Sequence, residues 1–115
     1  MIMHELNAVQ GLLEKALQKA KEAQAGRITH LYLVVGEISD YTDESLRFHW
    51  DRAGRGTLAQ GAVLHFRRVP AEVQCMSCFT KYRPKDGRLI CPNCGGVGAR
   101  IIAGEEFYME ELDTE

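Results

Sequence analysis

Between residues 3 and 25, Leu6, Val9, Leu13, Ala16, Leu17 and Ala20 recur at three- and four-residue steps. Glu14, Lys15, Gln18, Lys19 and Glu22 fall on the other side. This period predicts an amphipathic helix, with Gly11 as a weak point and Gly26 as its stop. The pattern then changes. "HLYLVVGEI" (residues 30–38) is a dense apolar run of β-branched and aromatic residues and predicts a buried strand. "SDYTDES" breaks it. Thr42 is placed to cap a second helix, with Asp43 and Glu44 in the first turn where they suit the helix dipole. Leu46 and Trp50 share the inner face of that helix, Ala53 follows, and "GRGT" (residues 54–57) ends it. "AVLHFRRV" (residues 62–69), with Leu64 and Phe66 on one face, predicts a second strand, and Pro70 closes it. From residue 104, "GEEFYMEELD" predicts a third.

Across residues 71–99 the apolar period disappears, and Cys, Gly, Pro and Asn dominate. Such a segment cannot build a core of its own and needs a staple. The expected fold is α+β: a small mixed three-stranded sheet with two helices, carrying an inserted zinc-ribbon-like four-cysteine module. The final strand returns to the first sheet, so the expected division is an α/β domain at 1–70 and 100–115 with the module at 71–99.

Composition narrows the function classes. The chain has 115 residues, 45% of them hydrophobic and 26% charged, which suits a globular protein rather than a disordered one. A formal net charge of -2 gives no chain-wide case for nucleic acid. No apolar run approaches the ~20 residues that span a bilayer, and no basic start followed by an apolar stretch marks a signal peptide, so a cytoplasmic location without a membrane role is expected.

All four cysteines lie between residues 75 and 94, as Cys75-Met-Ser-Cys78 and Cys91-Pro-Asn-Cys94, with twelve residues between the pairs. Each C-x2-C turn can aim two thiolates at one centre, and two such turns complete a tetrahedral zinc site. Disulfides are the alternative, but a cytosolic protein keeps its thiols reduced. Iron is a sharper competitor, since Cys-Pro-Asn-Cys-Gly is like a rubredoxin knuckle and four thiolates suit either metal. Only Phe79 and Tyr82 supply aromatics nearby, which favours zinc. Four thiolates leave no open position, so the zinc is expected to be structural. Within residues 71–99, Lys81, Arg83, Lys85 and Arg88 against Glu72 and Asp86 leave an excess of two positive charges. They can offset the roughly −2 of a tetrathiolate zinc centre.

No Gly-rich phosphate loop and no nucleophile with a triad context occurs, so catalysis has little support. His30, His49 and His65 stand apart in the sequence and suggest packing or surface roles. His4 and Glu5 admit two readings: an ordinary helix start with a first-turn acid, or metal ligands near the N-terminus.

Several pieces together carry a resemblance. "MHE" at residues 3–5, "VVGEIS" on the first strand, "TDESLRFHWD" on the second helix, "GAVLHF" on the second strand and the two cysteine pairs resemble the hydrogenase nickel-incorporation family HypA/HybF. The resemblance covers nearly the whole chain. It implies a small nickel metallochaperone with Ni(II) as transient cargo and Zn(II) as a structural cofactor. The partners it implies are a HypB-type GTPase, the large subunit of [NiFe]-hydrogenase and, in some organisms, the urease maturation proteins. By resemblance, Cys75, Cys78, Cys91 and Cys94 hold zinc. His4 and Glu5 take the positions of the nickel motif, with Met3 beside them, and Asp43 matches an acidic position associated with nickel. Met1 and Ile2 precede the motif, a departure from the family's pattern, in which the histidine is second. The sequence is compatible with a monomer or a homodimer. The competing reading is a zinc- or iron-ribbon interaction or electron-transfer module without a nickel role.

Overall fold

The computed structural model describes residues 2–115, with side chains described from Glu5 onward. In order, the elements are α1 (Ile2–Glu22), β1 (Ile28–Gly36), α2 (Asp43–Ala53), β2 (Val63–Val69), β3 (Glu72–Cys75), β4 (Lys81–Tyr82), β5 (Ala99–Ala103) and β6 (Phe107–Thr114). They form two three-stranded sheets, in the orders β2-β1-β6 and β4-β3-β5. The chain divides into two compact units: Met1–Val34 with Tyr41–Arg67 and Tyr108–Glu115, and Val35–Asp40 with Arg68–Phe107.

In the first unit, α1 buries Val9, Leu12, Leu13, Ala16 and Ala20, a stripe that includes Leu12 and leaves Leu6 and Leu17 half-buried. The same unit buries Leu31 and Leu33 of β1, Leu46 and Trp50 of α2, and Leu64 of β2, each almost fully. Each large side chain so buried contributes roughly 1.5–3 kcal/mol relative to exposure. The helix ends earlier than its composition suggests. Its left-handed stop is Gln24, at φ 55°, not Gly26, whose N–H instead donates to the Glu115 carbonyl at 2.9 Å. Thr42 caps α2 as expected, its hydroxyl accepting the Ser45 N–H at 3.1 Å.

The first sheet is mixed. The Ile28 N–H donates to Leu58 O at one end of β1, and the Glu37 N–H donates to Val69 O at the other, so β1 and β2 run in the same direction. β6 runs the opposite way, because the Gly36 N–H donates to Glu106 O while Glu115 exchanges bonds with Arg27.

In the second unit, β3 pairs antiparallel with both β4 and β5, with Val73 opposite Tyr82 on one side and Ile101 on the other. The sequence pattern had not indicated these three short strands. Their core is Val73, Cys75, Tyr82 and Cys91, with Cys78 and Ala99 packed against it.

Candidate metal centre

The two C-x2-C segments fold as matching knuckles. In the first, the Phe79 N–H donates to Cys75 O at 3.0 Å and the Ser77 N–H points at Cys75 Sγ at 3.4 Å. In the second, the Gly95 N–H donates to Cys91 O at 2.9 Å and the Asn93 N–H points at Cys91 Sγ at 3.4 Å. Both turns require a left-handed residue just after the second cysteine. Gly95 (φ 76°) meets this without strain and Phe79 (φ 65°) does not, so the first knuckle holds a conformation costing roughly 1–2 kcal/mol. Between the knuckles, Asp86 and Gly87 both have positive φ, as a tight two-residue hairpin turn requires, and Lys85 bridges to Arg88.

The knuckles bring all four sulfurs within 4.8 Å of one another. Cys75 Sγ lies 3.6 Å from Cys94 Sγ, and Cys78 Sγ lies 3.6 Å from Cys91 Sγ. A disulfide needs about 2.05 Å. A regular tetrahedron with metal–sulfur bonds of about 2.3 Å has edges of about 3.8 Å, so the arrangement fits a tetrathiolate ion. Gly96 closes the cradle: a Cβ there would meet Cys94 Sγ at 3.3 Å and Cys75 Sγ at 3.5 Å. Cys75 and Cys91 are buried, Cys78 is half-buried and Cys94 is exposed.

The surroundings set the thiols apart. The Thr80 hydroxyl, 3.2 Å from Cys78 Sγ, and then the Asn93 side-chain amide at 3.5 Å hold the Cys78 thiol down to about 5. Backbone N–H groups, chiefly of Cys78 and Ser77, lower Cys75. Cys94 receives an opposing N–H from Gly96, but crowding by the thiols of Cys75 and Cys78 drives it up to about 12. At neutral pH, therefore, at least one proton stays on the cluster until a cation displaces it. Sequence reasoning missed Thr80 and Asn93, because neither belongs to the motif as a ligand. Among the described residues, these cysteines are the one group of three or more His, Cys, Asp or Glu side chains whose ligand atoms converge.

At the other expected site, the side chains of Met3 and His4 lie outside the described residues. Glu5 is described, and it is not an ordinary exposed first-turn acid: it is 4% exposed, and its Oε1 has no hydrogen-bond partner among the described residues. A carboxylate oxygen left so is costly unless a proton or a cation meets it. Asp43 opens α2, half-buried and with a partner of its own.

The family model described as "Hydrogenase/urease nickel incorporation, metallochaperone, hypA" matches residues 3–114. A Hydrogenase maturation factor HypA from Dehalococcoides mccartyi is 37% identical over 113 residues, 98% of this chain and 95% of that protein. One of the same name from Caldanaerobacter subterraneus subsp. tengcongensis is 34% identical over 114 residues, 98% of this chain and all of the relative. Two solution structures share the fold. One of a HypA protein has a TM-score of 0.74 at 23% identity, covering 98% of this chain and 97% of the other. That of the Ni metallochaperone HypA from Helicobacter pylori has 0.68 at 20%, covering 96% of each.

Proposed function

The chain belongs to the HypA family of hydrogenase/urease nickel-incorporation proteins, and from that premise we propose that it carries Ni²⁺ at its N-terminal end for [NiFe]-hydrogenase maturation. The observation that supports the reading in this chain is Glu5, a buried carboxylate oxygen without a partner among the described residues, on the helix turn that also contains His4. His4 is the side chain on which nickel depends, with the backbone nitrogens of His4 and Glu5 and one further donor making up the planar set that Ni²⁺ accepts. Met3 and Asp43 are subsidiary candidates. The partial positive charge at the start of α1 opposes a cation. Modest affinity follows, which suits a carrier that must release its load.

In this reading Cys75, Cys78, Cys91 and Cys94 hold Zn²⁺, and the zinc is structural. The module at 71–99 is the zinc-binding part, and residues 1–70 and 100–115 form the nickel-binding part. Delivery requires a HypB-type GTPase and a client, the hydrogenase large subunit, in the cytoplasm, and the protein alone has no turnover. Calorimetric titration of the zinc-loaded chain with Ni²⁺ tests the proposal. His4→Ala should remove one nickel equivalent and leave zinc content unchanged. Equal nickel stoichiometry in the two proteins would refute it. A red ferric spectrum from freshly purified protein would replace zinc by iron.

A further inference from the structure

Along β1 the buried Leu31 and Leu33 alternate with His30 and Tyr32, which therefore point to the opposite face of the sheet. On that face β2 presents His65, and the two histidines, 35 residues apart, meet: His30 Nδ1 lies 2.9 Å from His65 Nε2. Their rings stack at 5.1 Å, and the Tyr32 ring stacks on His65 at 4.6 Å with an 11° tilt. The Tyr32 hydroxyl in turn donates to Asp113 Oδ2 at 2.9 Å, and the Thr29 hydroxyl donates to Asp113 O at 3.2 Å. All three strands of the sheet thus fix the pair, and regular strands hold side chains more firmly than loops do.

We propose that His30 and His65 form a second metal site, a two-imidazole pair for a divalent transition ion. Metal–imidazole bonds are about 2.0–2.1 Å. Two such bonds at a right angle place the nitrogens about 2.9 Å apart, which is the separation present here. The ion sits to one side of the line joining them, so each ring must turn by about 45° from the hydrogen-bond line to aim its lone pair at the metal. In the neutral pair one ring donates and the other accepts across this gap. To bind, the donor moves its proton to its far nitrogen, so both facing lone pairs become available with no net proton release. Water fills the remaining positions, since the pair is open to solvent. Imidazole donors select copper, nickel and zinc over calcium or magnesium, with Cu²⁺ bound more tightly than Ni²⁺. The site does not depend on His4 or on the cysteines.

The test uses the full chain, zinc-loaded, in the His4→Ala background, titrated with Ni²⁺ and with Cu²⁺. One equivalent should persist there, Cu²⁺ binding more tightly than Ni²⁺. His65→Phe, which keeps a ring against Tyr32 but has no nitrogen, should weaken it at least tenfold. His30→Asn should do the same and serves if the first variant folds poorly, as judged by Trp50 fluorescence. Tyr32→Phe should leave affinity within a few-fold. Loss of all binding in His4→Ala, or binding unchanged in both histidine variants, would overturn this site. The N-terminal reading fails separately, if His4→Ala leaves the stoichiometry of the otherwise native chain intact.

Discussion

Gly36→Ala should cripple the protein although alanine is acceptable to the local backbone, since Gly36 is not among the positive-φ glycines. A Cβ at this position would lie 1.9 Å from the Gly104 carbonyl oxygen, 2.1 Å from its carbon and 2.6 Å from Glu105 N, all backbone atoms. Real Cβ contacts stay beyond 3.0 Å, so the two segments must separate by about 1.1 Å or more. Two hydrogen bonds flank the contact: Gly36 N–H to Glu106 O at 2.6 Å and Ile38 N–H to Gly104 O at 2.8 Å. That displacement carries both out of bonding range. Each orphaned pair costs roughly 1–3 kcal/mol, and the loss should total about 4 kcal/mol, a large share of the ~5–15 kcal/mol that holds a domain together. For units of this size 1 kcal/mol moves Tm by roughly 4–8 °C, so a fall of at least about 15 °C is expected. Thermal melts at fixed zinc, followed by circular dichroism and by Trp50 fluorescence, measure it. A melting point within about 3 °C of the parent would refute the steric argument.

Gly11→Ala should act in the opposite direction: its Cβ would meet nothing within 4 Å, and removing a mid-helix glycine should add about 0.5–1 kcal/mol, read from urea midpoints. Thr42→Ala should lose the cap on Ser45 N–H and about 1 kcal/mol, while Thr42→Ser retains most of it in the same urea assay. Cys91→Ser should abolish stoichiometric zinc and open residues 71–99 to protease while much of the α/β unit survives, because the ~10–16 kcal/mol of such a metal exceeds what a small core can replace. Zinc loading of apo-protein near pH 7 should release protons, because Cys94 lies at about 12 before metal arrives and Cys78 near 5 is already ionised. Acidification toward pH 5 should weaken binding as the ligands reprotonate, which a pH series with a zinc indicator would record.

What the sequence disclosed divides by range. Helix periods, the Thr42 cap and the dense apolar run of β1 are local signals, and the structure returns them with ends shifted by a few residues. The cysteine spacing is equally local, and the four sulfurs converge as it implied. The strands β3, β4 and β5 left no trace, because four, two and five residues cannot display a period and Cys and Gly interrupt them. Gly26 looked like a helix stop, but a left-handed Gln24 does that work. By its place in the sequence alone Glu5 reads first as an ordinary first-turn acid, since burial at a helix start depends on what packs over it. His30 and His65 stood apart in the sequence, and only the parallel alignment of β1 with β2 brings them together.

Two residues that flank the four-cysteine segment bond to consecutive residues at the end of β1: Val69 O accepts the Glu37 N–H and Glu106 O accepts the Gly36 N–H. In mechanical terms the insertion is a loop whose ends are clamped on either side of one strand, about two strand spacings or ~10 Å apart. Three or four extended residues span that gap, so a brief linker in place of residues 71–103 would keep β2 and β6 on their proper sides of β1.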